Sequence, residues 1–178
     1  MAVLLLIVGC SESVELFDHR DGGIVIWIDP MDDTHGLVCA ISDQGKAPWG
    51  CDGVEIDGTS TAIGTGEANT TAILAGCAEP DIAARLSADF ETTVDGVLYD
   101  DWFLPSRDVL DLMYANRAAI DAAALANGGA AFSDKSYWSS SQDVLSSTHI
   151  AWSVNFNDGQ VIGAFKPLEL NVRSVRAF

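Results

Sequence analysis

The chain has 178 residues, with 26 Asp plus Glu against 9 Lys plus Arg and a formal net charge of −17. Its apolar share of 48% is too high for a disordered acidic tail and suits one folded domain. So acidic a chain has no basic footprint for a phosphate backbone, which excludes a nucleic-acid partner and direct attraction to an anionic membrane.

Ala2 to Val8 are all apolar and run into Gly9-Cys10. The run is far short of the roughly 20 residues that span a bilayer as a helix. It reads as the hydrophobic part of a leader, or else as a buried N-terminal strand. Ile7-Val8-Gly9-Cys10 resembles a bacterial lipobox, which implies lipidation at Cys10, export, and a cell-surface or periplasmic lipoprotein. Membrane contact would then come only through the lipid anchor. Residues 1–21 are read as leader and N-terminal extension, and residues 22–178 as a single domain.

Gly23 to Ile28 is β-branched and aromatic, Asp29 to Gly36 is turn material, and Leu37 to Ile41 is again strand-like. This predicts a β-hairpin with a long polar loop. Asp29, Asp32 and Asp33 gather oxygen donors in that loop and are the candidate ligands of a structural Ca²⁺. Ser42 to Gly66 reads as Gly-rich loop, with Asn69 as the N-cap of a short helix ended by Gly76 and Pro80. Ile82, Ala83, Leu86 and Phe90 repeat at helical spacing. Cys39 lies in an apolar run and reads as a core residue. Cys51 and Cys77 border the loop region and are expected to pair as a disulfide in an oxidising compartment.

The clearest helix begins after Pro105, with Ser106 as cap and Asp108 in its first turn, and ends at Asn127-Gly128-Gly129. Beyond Phe132 the period becomes two. Trp152, Val154 and Phe156 alternate with Ser153 and Asn155, Asn157-Asp158-Gly159 signals a hairpin, and Gln160 to Phe165 returns. Leu168 to Phe178 reads as a last strand, bulged between Val172 and Val175. Strand, loops, helices and then a β-meander predict an α+β fold with antiparallel sheets.

Gly22-Gly23-Ile24-Val25, Gly36-Leu37-Val38, Trp49-Gly50, Gly64-Thr65-Gly66 with Asn69-Thr70, and Asp101-Trp102-Phe103-Leu104-Pro105-Ser106 form an ordered series. Tyr137-Trp138-Ser139-Ser140-Ser141, Ala151-Trp152, Phe156-Asn157-Asp158-Gly159 and Val172 to Phe178 continue it. The series resembles the collagen-like adhesin C-terminal (Lcl C-terminal) domain family, over residues 22–178. The resemblance implies a C-type-lectin-like fold, related to the formylglycine-generating enzyme and to variable proteins of diversity-generating retroelements. It also implies a bacterial or phage surface module that binds a ligand.

Catalysis is not expected. Formylglycine chemistry needs reactive cysteines late in the fold, and none follows Cys77. Ser139 to Ser141, with His149 and Asp143 nearby, lack the nucleophile-elbow pattern and read as turn serines. No cofactor is implied beyond the possible Ca²⁺.

If Trp152, Val154 and Phe156 face inward, Ser153 and Asn155 face out. The expected ligand face is Ser153, Asn155, Asn157, Gln160, Ile162, Lys166 and Asn171. It would recognise a protein or glycan on another cell or host, with homo-oligomerisation possible. The other reading is a structural subunit of an envelope appendage or filament. Residues 1–101 hold 19 acids and 3 bases, whereas residues 134–178 hold four of each. The acidity is therefore expected to lie away from a near-neutral ligand face.

Overall fold

A computed structural model describes residues 13–178. The leader-like stretch and Cys10 lie outside the described residues. The architecture is α+β with mostly antiparallel sheets, as the element order and the C-type-lectin-like expectation require. No helix among the described residues is long and apolar enough to cross a membrane.

The first sheet has the order β1-β2-β3-β11, formed by β1 (His19–Arg20), β2 (Gly23–Asp29), β3 (Asp32–Ala40) and β11 (Val175–Ala177). Two findings differ from expectation here. β1 pairs with β2, and Phe17 N–H donates to the Val25 carbonyl at 2.8 Å, so the folded unit begins before residue 22. The polar stretch after Asp29 is strand rather than long loop, because Asp29 pairs with Asp32 across Pro30-Met31. Both faces of this sheet are covered. Ile24, Ile26, Leu37 and Cys39 enter one core, while Val25, Val38, Ala40 and Trp102 form another on the opposite side.

The second sheet has the order β4-β10-β7-β8-β9. Its strands are β4 (Gly45–Ala47), β7 (Ser136–Gln142), β8 (Ile150–Asn155), β9 (Val161–Phe165) and β10 (Leu170–Val172). A small hairpin of β5 (Thr92–Val94) and β6 (Val97–Tyr99) stands apart. Among the described residues, four helices connect the sheets: α1 (Gly66–Gly76), α2 (Ala83–Ala88), α3 (Arg107–Ala115) and α4 (Arg117–Ala126). Ser106 caps α3 as expected, its hydroxyl accepting the Val109 N–H at 3.4 Å.

The second sheet is sandwiched between two cores. Tyr137, Val154 and Phe156 pack with residues of α3, α4 and the first sheet. Trp138, Ala151 and Ala164 pack on the opposite side with residues of α1, α2 and β4. The expected bulge between Val172 and Val175 is instead a change of sheet. β10 ends in the second sheet, and after Arg173-Ser174 the chain enters the first as β11. Arg173, fully buried, fastens this crossing. It pairs with Asp43 at 2.6 Å, donates to the Ala40 and Ala130 carbonyls, and lies over the Phe132 ring.

Cys51 and Cys77 form the expected disulfide, and Cys39 is a buried free thiol that burial pushes up to about 12. Asn69 is not a cap. It sits inside α1, completely buried. Its amide donates to the Ser60 carbonyl at 2.7 Å and to Ser140 Oγ at 3.0 Å, and its carbonyl oxygen accepts the Ser60 N–H. Thr65 precedes the helix without a side-chain cap.

Candidate functional site

The β8–β9 hairpin carries most of the residues expected to bind ligand, and the structure divides them. Asn157, Gln160 and Ile162 are exposed and Asn155 is half-buried. Ser153, Lys166 and Asn171 are buried and do not contribute to a ligand face. The strand-parity argument fails because both faces of the sheet are covered, so alternation does not sort inside from outside.

Each of the three buried residues has an internal task. Ser153 Oγ donates to the Ile162 carbonyl at 3.1 Å. Asn171 ties β10 to Ser133 and to the Ser136 carbonyl. Lys166 Nζ donates to the Val54 carbonyl at 2.6 Å and to Gln142 Oε1 at 2.8 Å, and lies 4.6 Å from the Trp49 ring centre. Burial pushes the Lys166 ammonium down to about 8, against the pull of Asp52 and Glu55. Lys166 and Gln142 thus hold the loop around Val54 and Ile56 against the sheet.

The serine run likewise differs from expectation in place. Ser139, Ser140 and Ser141 lie on β7, fully buried, rather than in a turn. Their hydroxyls donate to the carbonyls of Trp152, Pro105 and Ser60 respectively. His149 is directed elsewhere, 2.8 Å from Asp52 on an exposed loop.

The candidate Ca²⁺ ligands Asp29, Asp32 and Asp33 do not form a close group of three, although Asp29 and Asp32 face each other across the turn. Asp29 accepts the Met31 N–H, and Asp32 is engaged by Thr34 and His35. The hydrogen bonds from Thr34 hold the Asp32 carboxyl below its ordinary range. Among the described residues, the one close group of three His, Cys, Asp or Glu side chains is Cys51, Cys77 and Glu79, in which both sulfurs are already joined. Asn155 Oδ1 and Asp158 Oδ1 accept the N–H groups of Asn157 and Gln160, and so shape the hairpin turn.

Beyond the polar turn residues Asn157, Asp158 and Gln160, what the hairpin exposes along β9 is apolar. β9 is an edge strand, and Val161, Ile162 and Phe165 are 38%, 39% and 63% exposed. Six of the 13 exposed large apolar side chains among the described residues fall between Val144 and Leu168. Val161 and Phe165 share a face with Ile150 and the half-buried Trp152, since the register pairs Val154 with Val161 and Ile150 with Phe165. Arg107 lies over the Trp152 ring. Beside the hairpin turn is an open cleft of about 500 Å³, lined by Tyr114, Arg117, Asp121, Phe156 and Asn157. Gly159, at φ +77°, lets the turn approach Tyr114: an added Cβ would stand 2.1 Å from that ring. Arg117 is spent inside this region, on the carbonyls of Phe132 and Phe156 and on Asp121 and Asp134.

The charge of this surface also differs from the expected neutrality. Of the four bases in residues 134–178, Lys166, Arg173 and Arg176 are buried, and only Lys135 is exposed. The four acids Asp134, Asp143, Asp158 and Glu169 are exposed or half-exposed. Sequence counting missed this because Arg173 and Arg176 turn inward onto Asp43 and Asp101, and Lys166 onto Val54 and Gln142. Sequence alternation also missed Val161 and Phe165, although their place at the end of the meander marks β9 as an edge candidate.

The chain matches no protein-family model, and no curated protein matches it.

Proposed function

We propose that the protein is a non-catalytic binding module that recognises another protein through the β8–β9 hairpin. The observation that carries this reading is the edge strand β9, which among the described residues pairs only with β8 and exposes Val161, Ile162 and Phe165. Contiguous exposed apolar surface marks interaction sites in soluble proteins. The motif series and the lipobox-like start support a C-type-lectin-like surface module, exported and anchored by lipid at Cys10. A protein ligand is favoured over a Ca²⁺-bridged glycan because the edge strand is apolar and, among the described residues, no close group of three His, Cys, Asp or Glu side chains lies at the hairpin.

A combined protein and glycan array, probed with wild type and with Phe165→Asp, tests the reading. Protein ligands that lose at least tenfold in signal with Phe165→Asp, and are indifferent to EDTA, are the expected result. EDTA-sensitive glycan binding, or binding unchanged by Phe165→Asp, overturns it.

The same open edge favours a second reading, a subunit that assembles by strand pairing with its own copies. Size-exclusion chromatography with light scattering and electron microscopy separates the two: ordered polymers without a ligand support assembly.

A further inference from the structure

We propose that the partner binds by adding a strand to β9, as an extended segment with apolar residues at alternate positions and cationic flanks. This names the partner class for the surface described above and rests on that reading.

The backbone favours an added strand. Lys166 N–H donates to the His149 carbonyl, and Asn155 N–H donates to the Gln160 carbonyl. With the regular β8–β9 register, these bonds set the alternation: Ile162 and Ala164 bond inward to β8. Val161, Gly163 and Phe165 therefore direct their N–H groups to the open side. The carbonyls of Val161 and Gly163 point the same way, while that of Phe165 accepts the Leu168 N–H at 3.0 Å. Among the described residues that leaves a free ladder over five residues, about 16 Å long.

The edge also lacks protection. Natural edges are blunted by shortness, charge, proline or bulges. The opposite edge of the same sheet, β4, is three residues long and carries exposed Lys46. β1 has two residues, both polar, and β11 is covered by the bridge between Val175 and Phe103. β9 has five residues, no charge, no proline and an unbroken register with β8. Its side chains offer contacts on both faces: Val161 and Phe165 beside Trp152 on one, Ile162 on the other. Alternate apolar residues of an added strand would meet Val161 and Phe165.

Charge favours a cationic partner. Around the hairpin Arg117 pairs with Asp134, and Arg107, which lies over Trp152, pairs with Asp108, which leaves Asp143, Asp158 and Glu169 exposed or half-exposed against Lys135, on a chain of net charge −17. A second copy of this chain would bring the same sign, whereas Lys or Arg beside an apolar strand would be attracted.

The test is selection of a phage-displayed random dodecapeptide library on the full chain, followed by binding measurements with synthetic copies of the selected peptides. The expected peptides alternate apolar residues and carry Lys or Arg at their ends. Their affinity falls at least tenfold with Val161→Pro, which removes an outward donor at the start of the strand without touching the bonds to β8. It also falls when N-methyl groups are placed on alternate peptide residues of one parity, and is unchanged with the other parity. This second readout needs no variant of the protein and stands even if Val161→Pro fails to fold. Peptides indifferent to N-methylation at both parities, or no selected peptide, overturn strand addition. If such indifferent peptides still lose binding with Phe165→Asp, the recognition surface stands and only the mode falls. If they ignore Phe165→Asp as well, both fall. A chain that dimerises through β9, with the dimer broken by Val161→Pro and no peptide selected, assigns the edge to a second copy and overturns the proposal.

Discussion

β7 and β9 lie two places apart in one sheet, yet their polar groups meet opposite conditions. On β7 the hydroxyls of Ser139, Ser140 and Ser141 reach carbonyls far away in sequence, and Trp138 Nε1 donates to the Ala47 carbonyl at 2.9 Å. Every one of these residues is buried. On β9 the polar groups of alternate residues face solvent, flanked by exposed Val161, Ile162 and Phe165. A polar sequence became the interior and an apolar one the surface. Polarity therefore says little about location here until partners are known: a buried hydroxyl is tolerated when it is satisfied, and an exposed apolar edge persists when it serves contact.

This contrast breaks most readily at the sheet crossing. Arg173→Ala leaves Asp43 without its buried partner and is expected to cost about 3–5 kcal/mol, read by urea unfolding. A loss below 1 kcal/mol would mean that the crossing is held by packing alone. Removing the disulfide with Cys51→Ser and Cys77→Ser together is expected to cost about 2–4 kcal/mol, since it opens the loop between them in the unfolded chain and leaves it held by hydrogen bonds such as those of Lys166 and Gln142. Asn69→Ala strands the Ser60 N–H and one partner of Ser140, and the same measurement should show a loss of about 1–3 kcal/mol.

Lys166 sharpens the comparison through pH. Its folded-state value near 8 lies below the ordinary 10.5, so between those values the unfolded chain holds more protons. Stability from this group therefore rises as pH rises through that window. The melting temperature of wild type should gain on that of Lys166→Met between pH 8 and 10, and parallel curves would refute the assignment. At the edge the effect on stability should be smallest: Phe165→Asp is expected to stay within about 0.5 kcal/mol of wild type while removing binding.

Much of the fold was legible in the sequence. The Ser106 cap, the Asn157-Asp158-Gly159 hairpin, the Cys51–Cys77 pair and the α+β order all rest on local signals, and all are present. The candidate site was only partly legible. Ser153, Lys166 and Asn171 look like surface residues until cores cover both faces of the sheet. The positions of Asn69 and the serine run depend on partners as distant as Ser60 from Ser141. The two short strands on either side of Arg173-Ser174 read as one because nothing local marks a change of sheet. The acidic surface of the hairpin was hidden because three of its four cations fold inward.

Amide hydrogen exchange of the isolated chain, followed by NMR at low concentration, tests most directly whether β9 is open. The N–H groups of Val161, Gly163 and Phe165 should exchange rapidly, those of Ile162 and Ala164 slowly, and those of β7 slowest of all. Uniform protection along β9 would show that its edge is already covered and would contradict the account.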